Sequence, residues 1–137
     1  MEKTLVAVDG SDPSMKALDY AIEEAKELES EITIIQVVNA PSYKEKIPDE
    51  VLSEEIKNVS GYLEGLKEKF GNEKIKLNTK VLKSTNVASE IVDYAEKEDF
   101  DKIVVGGKGK TGLETITLGS VSESVVKKAS CPVLVVH

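Results

Sequence analysis

The chain has 137 residues, 40% of them hydrophobic and 31% charged, a balance that suits one globular domain spanning 1–137 and excludes a disordered polymer. Its formal net charge of −7 argues against nonspecific binding to nucleic acid or to an anionic membrane surface, both of which are themselves negative. Cys131 is the single cysteine, so an internal disulfide or a cysteine-built zinc site is excluded; with no apolar run of membrane-spanning length, the expected location is the cytoplasm.

Thr4–Val8 is a short apolar run that reads as a strand. Ser11-Asp12-Pro13 then announces a helix, with a capping side chain ahead of a proline suited to the first turn. Behind it Leu18, Ile22, Ala25 and Leu28 recur at helical spacing and predict one apolar face. Ile32–Val38 is the second strand, and Asn39–Pro48, with Pro41 and Pro48, the loop after it. From Asp49 to Phe70 the positions Leu52, Ile56, Val59, Leu63, Leu66 and Phe70 step by four and three. Gly61 and Gly65 interrupt that helix at about 1 kcal/mol each relative to alanine, which predicts bending or fraying there. Ile75–Leu82 is the third strand. Val87, Ile91, Tyr94 and Ala95 mark a helix after Asn86, and Lys102–Val105 is the fourth strand. A last helix runs from about Ser120 to Ala129, with Val121, Val125 and Ala129 on one side, before Pro132 and a final strand, Val133–Val136. Strict βα alternation predicts an α/β fold: parallel strands joined by right-handed helical crossovers, with helices on both faces.

The long connection is Gly106–Ser120, which holds Gly106, Gly107, Gly109, Gly112 and Gly119. Glycines let backbone N–H groups converge on an anion, the following helix adds its unpaired N–H groups, and Lys108 and Lys110 add positive charge. It follows a strand in an open parallel sheet, the end at which such sheets take ligands. Two familiar motifs fail here. Gly109-Lys110-Thr111 looks like the end of a Walker A sequence, but the position that needs its first glycine is Val104. Gly107-x-Gly109-x-x-Gly112 matches a dinucleotide fingerprint, yet the helix starts too late and the next strand ends without an acid.

A third pattern fits better. Gly106-x2-Gly109-x9-Gly119-Ser120, together with the opening Val6-Ala7-Val8-Asp9-Gly10-Ser11 and the closing Cys131-Pro132-Val133-Leu134-Val135-Val136, resembles the universal stress protein family over the whole chain. The resemblance implies a five-stranded sheet ordered 3-2-1-4-5 and an ATP site. In that site Gly106, Gly109, Gly119 and Ser120 surround the phosphates and ribose, and Val121 adds a backbone contact. Asp9 lies beside the nucleotide, the backbone of Val37 reads the adenine, and Ala7 lies near the same pocket. Gly107, Lys108, Lys110 and Thr111 complete the candidate set within the loop. Magnesium is expected to travel with the ATP phosphates, since no carboxylate cluster looks like a dedicated metal site. The resemblance also implies a homodimer formed by pairing Val133–Val136 edges. Where many relatives have serine followed by arginine or histidine, this chain has Gly107 and Lys108.

Plainer readings stand beside these. Ser120-x-x-Glu123 is a capping box that any helix can use, and Asp9-Gly10 can serve only as a turn. Lys127 and Lys128 suit a helix C-terminus, and Cys131 reads as a small buried side chain. His137 is the only histidine, which argues against a Ser-His-Asp or Cys-His mechanism, so no catalytic residue is assigned. The expected function is that of a small regulatory ATP-binding protein. The alternatives are a slow ATP hydrolase or self-phosphorylating enzyme, and a nucleotide-free interaction module.

Overall fold

A computed structural model describes residues 1–40, 48–71, 73–107 and 119–137. Its elements alternate as the apolar pattern requires: β1 (Lys3–Ala7), α1 (Asp12–Leu28), β2 (Glu31–Asn39), α2 (Asp49–Phe70), β3 (Lys76–Ser84), α3 (Val87–Lys97), β4 (Lys102–Gly106), α4 (Ser120–Lys128) and β5 (Val133–Val136). The five strands form one parallel sheet in the order β3-β2-β1-β4-β5. Because β1 is flanked by β2 and β4, the winding reverses between β1 and β4, and a crevice opens above their carboxyl ends.

Side chains that alternate along each strand build two cores. Val6, Ile32, Ile34 and Val104 face α1 and the second half of α2, meeting Leu18, Ile22, Leu63 and Leu66. Leu5, Ile35, Ile103 and Val105 face the other way, toward Ile91, Val92 and Ala95 of α3 and Val125 of α4. The central strands are therefore buried on both sides, which is why their sequences are continuously apolar. At the amino end of the sheet Lys102 is held between the carboxylates of Glu2 and Glu24.

Several local expectations are corrected. Leu28 lies at the last turn of α1 and is 57% exposed, because Glu29 leaves the helix in a left-handed conformation (φ 53°) and turns the chain into β2. Helix α2 runs unbroken through Gly61 and Gly65, where an added β-carbon would meet open space, so neither glycine imposes a break. Ile75 is buried just ahead of β3, whose pairing continues to Ser84 opposite Asn39. In α4 Val125 is buried, whereas Val121 is exposed on the side above the crevice. Most of the Asn39–Pro48 loop lies outside the described residues. Among the described residues no helix is long and apolar enough to cross a membrane.

Candidate functional site

A cavity of about 350 Å³ lies at the β1/β4 reversal, at the carboxyl end of the sheet, lined by residues of β1, β2, β4, α1, α3 and α4 and of the β1–α1 and β4–α4 connections. Its inner wall is apolar: Ala7 from β1, Val37 from β2, Val105 from β4, and Val87 and Ile91 from the first turns of α3. Its rim is polar, made by Asp9, Ser11 and Ser14 on one side and by Gly106, Gly107 and Gly119–Ser122 on the other.

The Asp9 side is set by the start of α1. Gly10 turns the chain with φ +84°, a conformation that glycine tolerates, and Ser11 caps the helix. The Ser11 N–H donates to Asp9 Oδ1 at 2.9 Å and the Ser11 hydroxyl donates to the same oxygen. Ser14 closes the network: its hydroxyl donates to the Ser11 carbonyl at 2.9 Å and accepts from the Asp9 N–H at 3.3 Å. Partial burial pushes the Asp9 carboxyl upward, but the hydrogen bonds from the Ser11 hydroxyl, the backbone of Ser11 and the Ser14 hydroxyl outweigh it and hold Asp9 below the ordinary aspartate range. Asp9 is thus a fixed anion at neutral pH. Its charge reaches Tyr62 of α2, whose hydroxyl is shifted upward first by burial and then by Asp9.

A depressed carboxyl stabilises the fold fully above its unfolded pKa, and that contribution is lost as pH falls through the lower folded value. Asp9→Asn is therefore expected to lower stability at pH 7 by at most about 1 kcal/mol, since Asp9 is largely exposed and water screens it. The gap to wild type should close below the ordinary aspartate range in denaturant titrations run across pH; a gap that widened in acid would refute the assignment.

The opposite side is made by β4 and α4. An alanine β-carbon at Gly106 would run into the Pro13 carbonyl and approach the Ser14 nitrogen to 2.8 Å, so β4 passes directly over the backbone of the first turn of α1. The N–H of Gly107 donates to the Val136 carbonyl at 2.8 Å, and the His137 imidazole sits where a side chain at 107 would be, with Nδ1 2.5 Å from that point. Gly119, not Ser120, is the N-cap of α4, and it makes no side-chain capping bond. The capping-box reading is thereby overturned. The first intrahelical bond, Glu123 N–H to the Gly119 carbonyl at 2.9 Å, places Ser120 inside the helix. The N–H groups of Ser120, Val121 and Ser122 precede that bond, at the positive end of the helix.

Of the residues read from the sequence, Ala7, Asp9, Val37, Gly106, Gly107, Gly119, Ser120 and Val121 all line this one cavity. Lys108, Gly109, Lys110 and Thr111 lie outside the described residues. Sequence reasoning missed Ser14, Val87, Ile91, Val105 and Ser122, and it read Ser11 only as a cap. For Val87 and Ile91 helical periodicity gave the buried face of α3, but not which turns stand above the end of the sheet. Among the described residues no group of three or more His, Cys, Asp or Glu is placed to hold a metal ion.

Residues 1–137 match the model of the universal stress protein family. The chain is 40% identical to the universal stress protein MJ0531 of Methanocaldococcus jannaschii, over 98% of this chain and 81% of that one. It is 38% identical to the universal stress protein YxiE of Bacillus subtilis, with 98% of both covered. Among solved structures it resembles the universal stress protein UspA from Lactobacillus plantarum, with a TM-score of 0.83, 27% identity and coverage of 99% and 97%. Two further neighbours carry nucleotides. They are the universal stress protein from Archaeoglobus fulgidus in complex with dAMP (TM-score 0.68, 25% identity, 100% and 98% covered) and a universal stress protein in complex with cAMP (TM-score 0.69, 26% identity, 99% and 97% covered).

Proposed function

Because the chain belongs to the universal stress protein family, we propose that the cavity at the β1/β4 reversal binds an adenine nucleotide, ATP above all, and that occupancy sets the protein's regulatory state. The observation that carries this reading is the polarity of the cavity. Its apolar wall of Val37, Val87, Ile91 and Val105 suits a purine face, and its rim offers the backbone N–H groups of the first turn of α4, which precede the first intrahelical bond. The dAMP and cAMP complexes of two neighbours support a nucleotide of this class.

In this reading Ala7 and the Val37 backbone flank the base, and Asp9 faces the sugar. Gly106, Gly107, Gly119, Ser120 and Val121 surround the phosphates, with Gly109, Lys108, Lys110 and Thr111 completing the loop. Magnesium would arrive with the phosphates, with Asp9 as the one carboxylate among the described residues that line the cavity. The half-buried apolar strand β5, at the sheet edge, supports a homodimer through Val133–Val136. We place the protein in the cytoplasm, which its single cysteine suits.

Equilibrium titration of the purified chain with ATP, paired with mass spectrometry of gently purified protein, tests the proposal. Saturable binding in the micromolar to low millimolar range is expected. No binding there, and no nucleotide carried through purification, would leave the nucleotide-free interaction module as the better reading.

A further inference from the structure

Ser122 is the third residue of α4 and is nine-tenths buried. A serine in a helix commonly turns its hydroxyl back onto a carbonyl of its own helix. Ser122 does otherwise: its Oγ donates to the carbonyl of Gly106, the last residue of β4, at 2.8 Å. That bond joins two points 16 residues apart in sequence. Gly106 cannot yield to it, because the backbone of Pro13 and Ser14 blocks one side and pairing with Val136 holds the strand. The helix is therefore the partner that is positioned.

We propose that Ser122 is a positioning residue of this site: its bond to the Gly106 carbonyl holds the leading N–H groups of α4 over the end of β4, where the phosphates of a nucleotide are received. The inference rests on the reading that the cavity binds a nucleotide. Ser122 itself need not touch the ligand. Its hydroxyl is spent on Gly106, and the groups it places are the N–H groups of Ser120 and Val121, which line the cavity beside it.

The consequence is selective. Adenosine, which has no phosphate, should be indifferent to Ser122, whereas ATP should depend on it. The test is titration of wild type, Ser122→Ala and Ser122→Thr with adenosine, AMP and ATP, alongside thermal melts. Ser122→Ala is expected to weaken ATP about tenfold and adenosine less than twofold, with AMP between, and Ser122→Thr, which keeps the hydroxyl, to recover most of the ATP loss. Amide resonances of Ser120 and Val121 give a reading that needs no ligand: both should move in Ser122→Ala, while those of β2 stay in place. If wild type binds neither ATP nor adenosine, the nucleotide reading falls and takes this inference with it. If wild type binds ATP but Ser122→Ala binds it equally well, or loses ATP and adenosine alike, the Ser122 assignment alone is overturned.

Discussion

Replacing Gly106 by alanine is expected to lower the unfolding free energy by about 3 kcal/mol, the upper part of the usual range for overpacking. A β-carbon there would overlap the Pro13 carbonyl group and crowd the Ser14 nitrogen, and all of these are backbone atoms of a helix start that is itself fixed. The first turn of α1 is tied through Ser11 and Ser14 to Asp9, so it cannot retreat without breaking that network. In a chain of this size the loss corresponds to a drop in Tm of roughly 10 °C. The neighbouring glycine should behave differently. At Gly107 an added methyl meets the imidazole of His137, an exposed side chain free to rotate away, so Gly107→Ala should cost less than about 1 kcal/mol. Thermal and urea unfolding of the two variants checks the contrast. Equal losses would mean that the approach of β4 to α1 is not what requires Gly106.

The second large effect concerns ligand and not fold. Gly119→Asp is expected to leave the protein as stable as wild type, or more stable by about 0.5 kcal/mol, while weakening ATP at least a hundredfold. Gly119 has φ −69° and ψ 161°, values any L-residue adopts, and a β-carbon there meets nothing within 4 Å among the described residues. Aspartate is a preferred N-cap and its charge suits the positive end of α4. The same carboxylate would occupy the place offered to phosphate. Two like unit charges about 4 Å apart at an effective dielectric of 20 repel by about 4 kcal/mol, and a hundredfold loss needs about 2.7 kcal/mol, roughly two thirds of that. Gly119→Ser is the neutral control and should keep most of the affinity. Calorimetric titration beside thermal melts reads both quantities; undiminished ATP binding by the aspartate variant would move the phosphates away from α4.

Much of this architecture is visible in the amino-acid order, because strands buried on both faces and amphipathic helices leave different apolar periods. The position of every strand followed from such runs, with shifts of one or two residues at the ends. The neighbour order did not: β1 beside β4 is a contact between segments about a hundred residues apart, and only the likeness to a known family supplied it. The site shows the same division. The glycine spacing pointed to the carboxyl end of β4, where the cavity lies, yet the crowding at Gly106 comes from Pro13 and Ser14, in a distant part of the sequence. Ser120 was ambiguous for a local reason. A Ser-x-x-Glu pattern signals an N-cap only when the helix begins after the serine, and here Gly119 takes that place one residue earlier. Ser122 carried no signal at all, since a serine in the first turn of a helix is ordinary until its partner on another element is seen.

The seat of His137 against Gly107 bears on how this protein should be handled at the bench. In a parallel sheet every strand ends at the same pole, so a reporter or affinity tag joined after residue 137 would emerge beside the cavity mouth and crowd whatever binds there. One joined ahead of Met1 emerges at the opposite pole, separated by the length of β1, about 17 Å for five residues at roughly 3.3 Å each. Matched preparations tagged at either end would measure how far the mouth tolerates an obstruction, and the amino-terminal version is the one on which affinities should be determined.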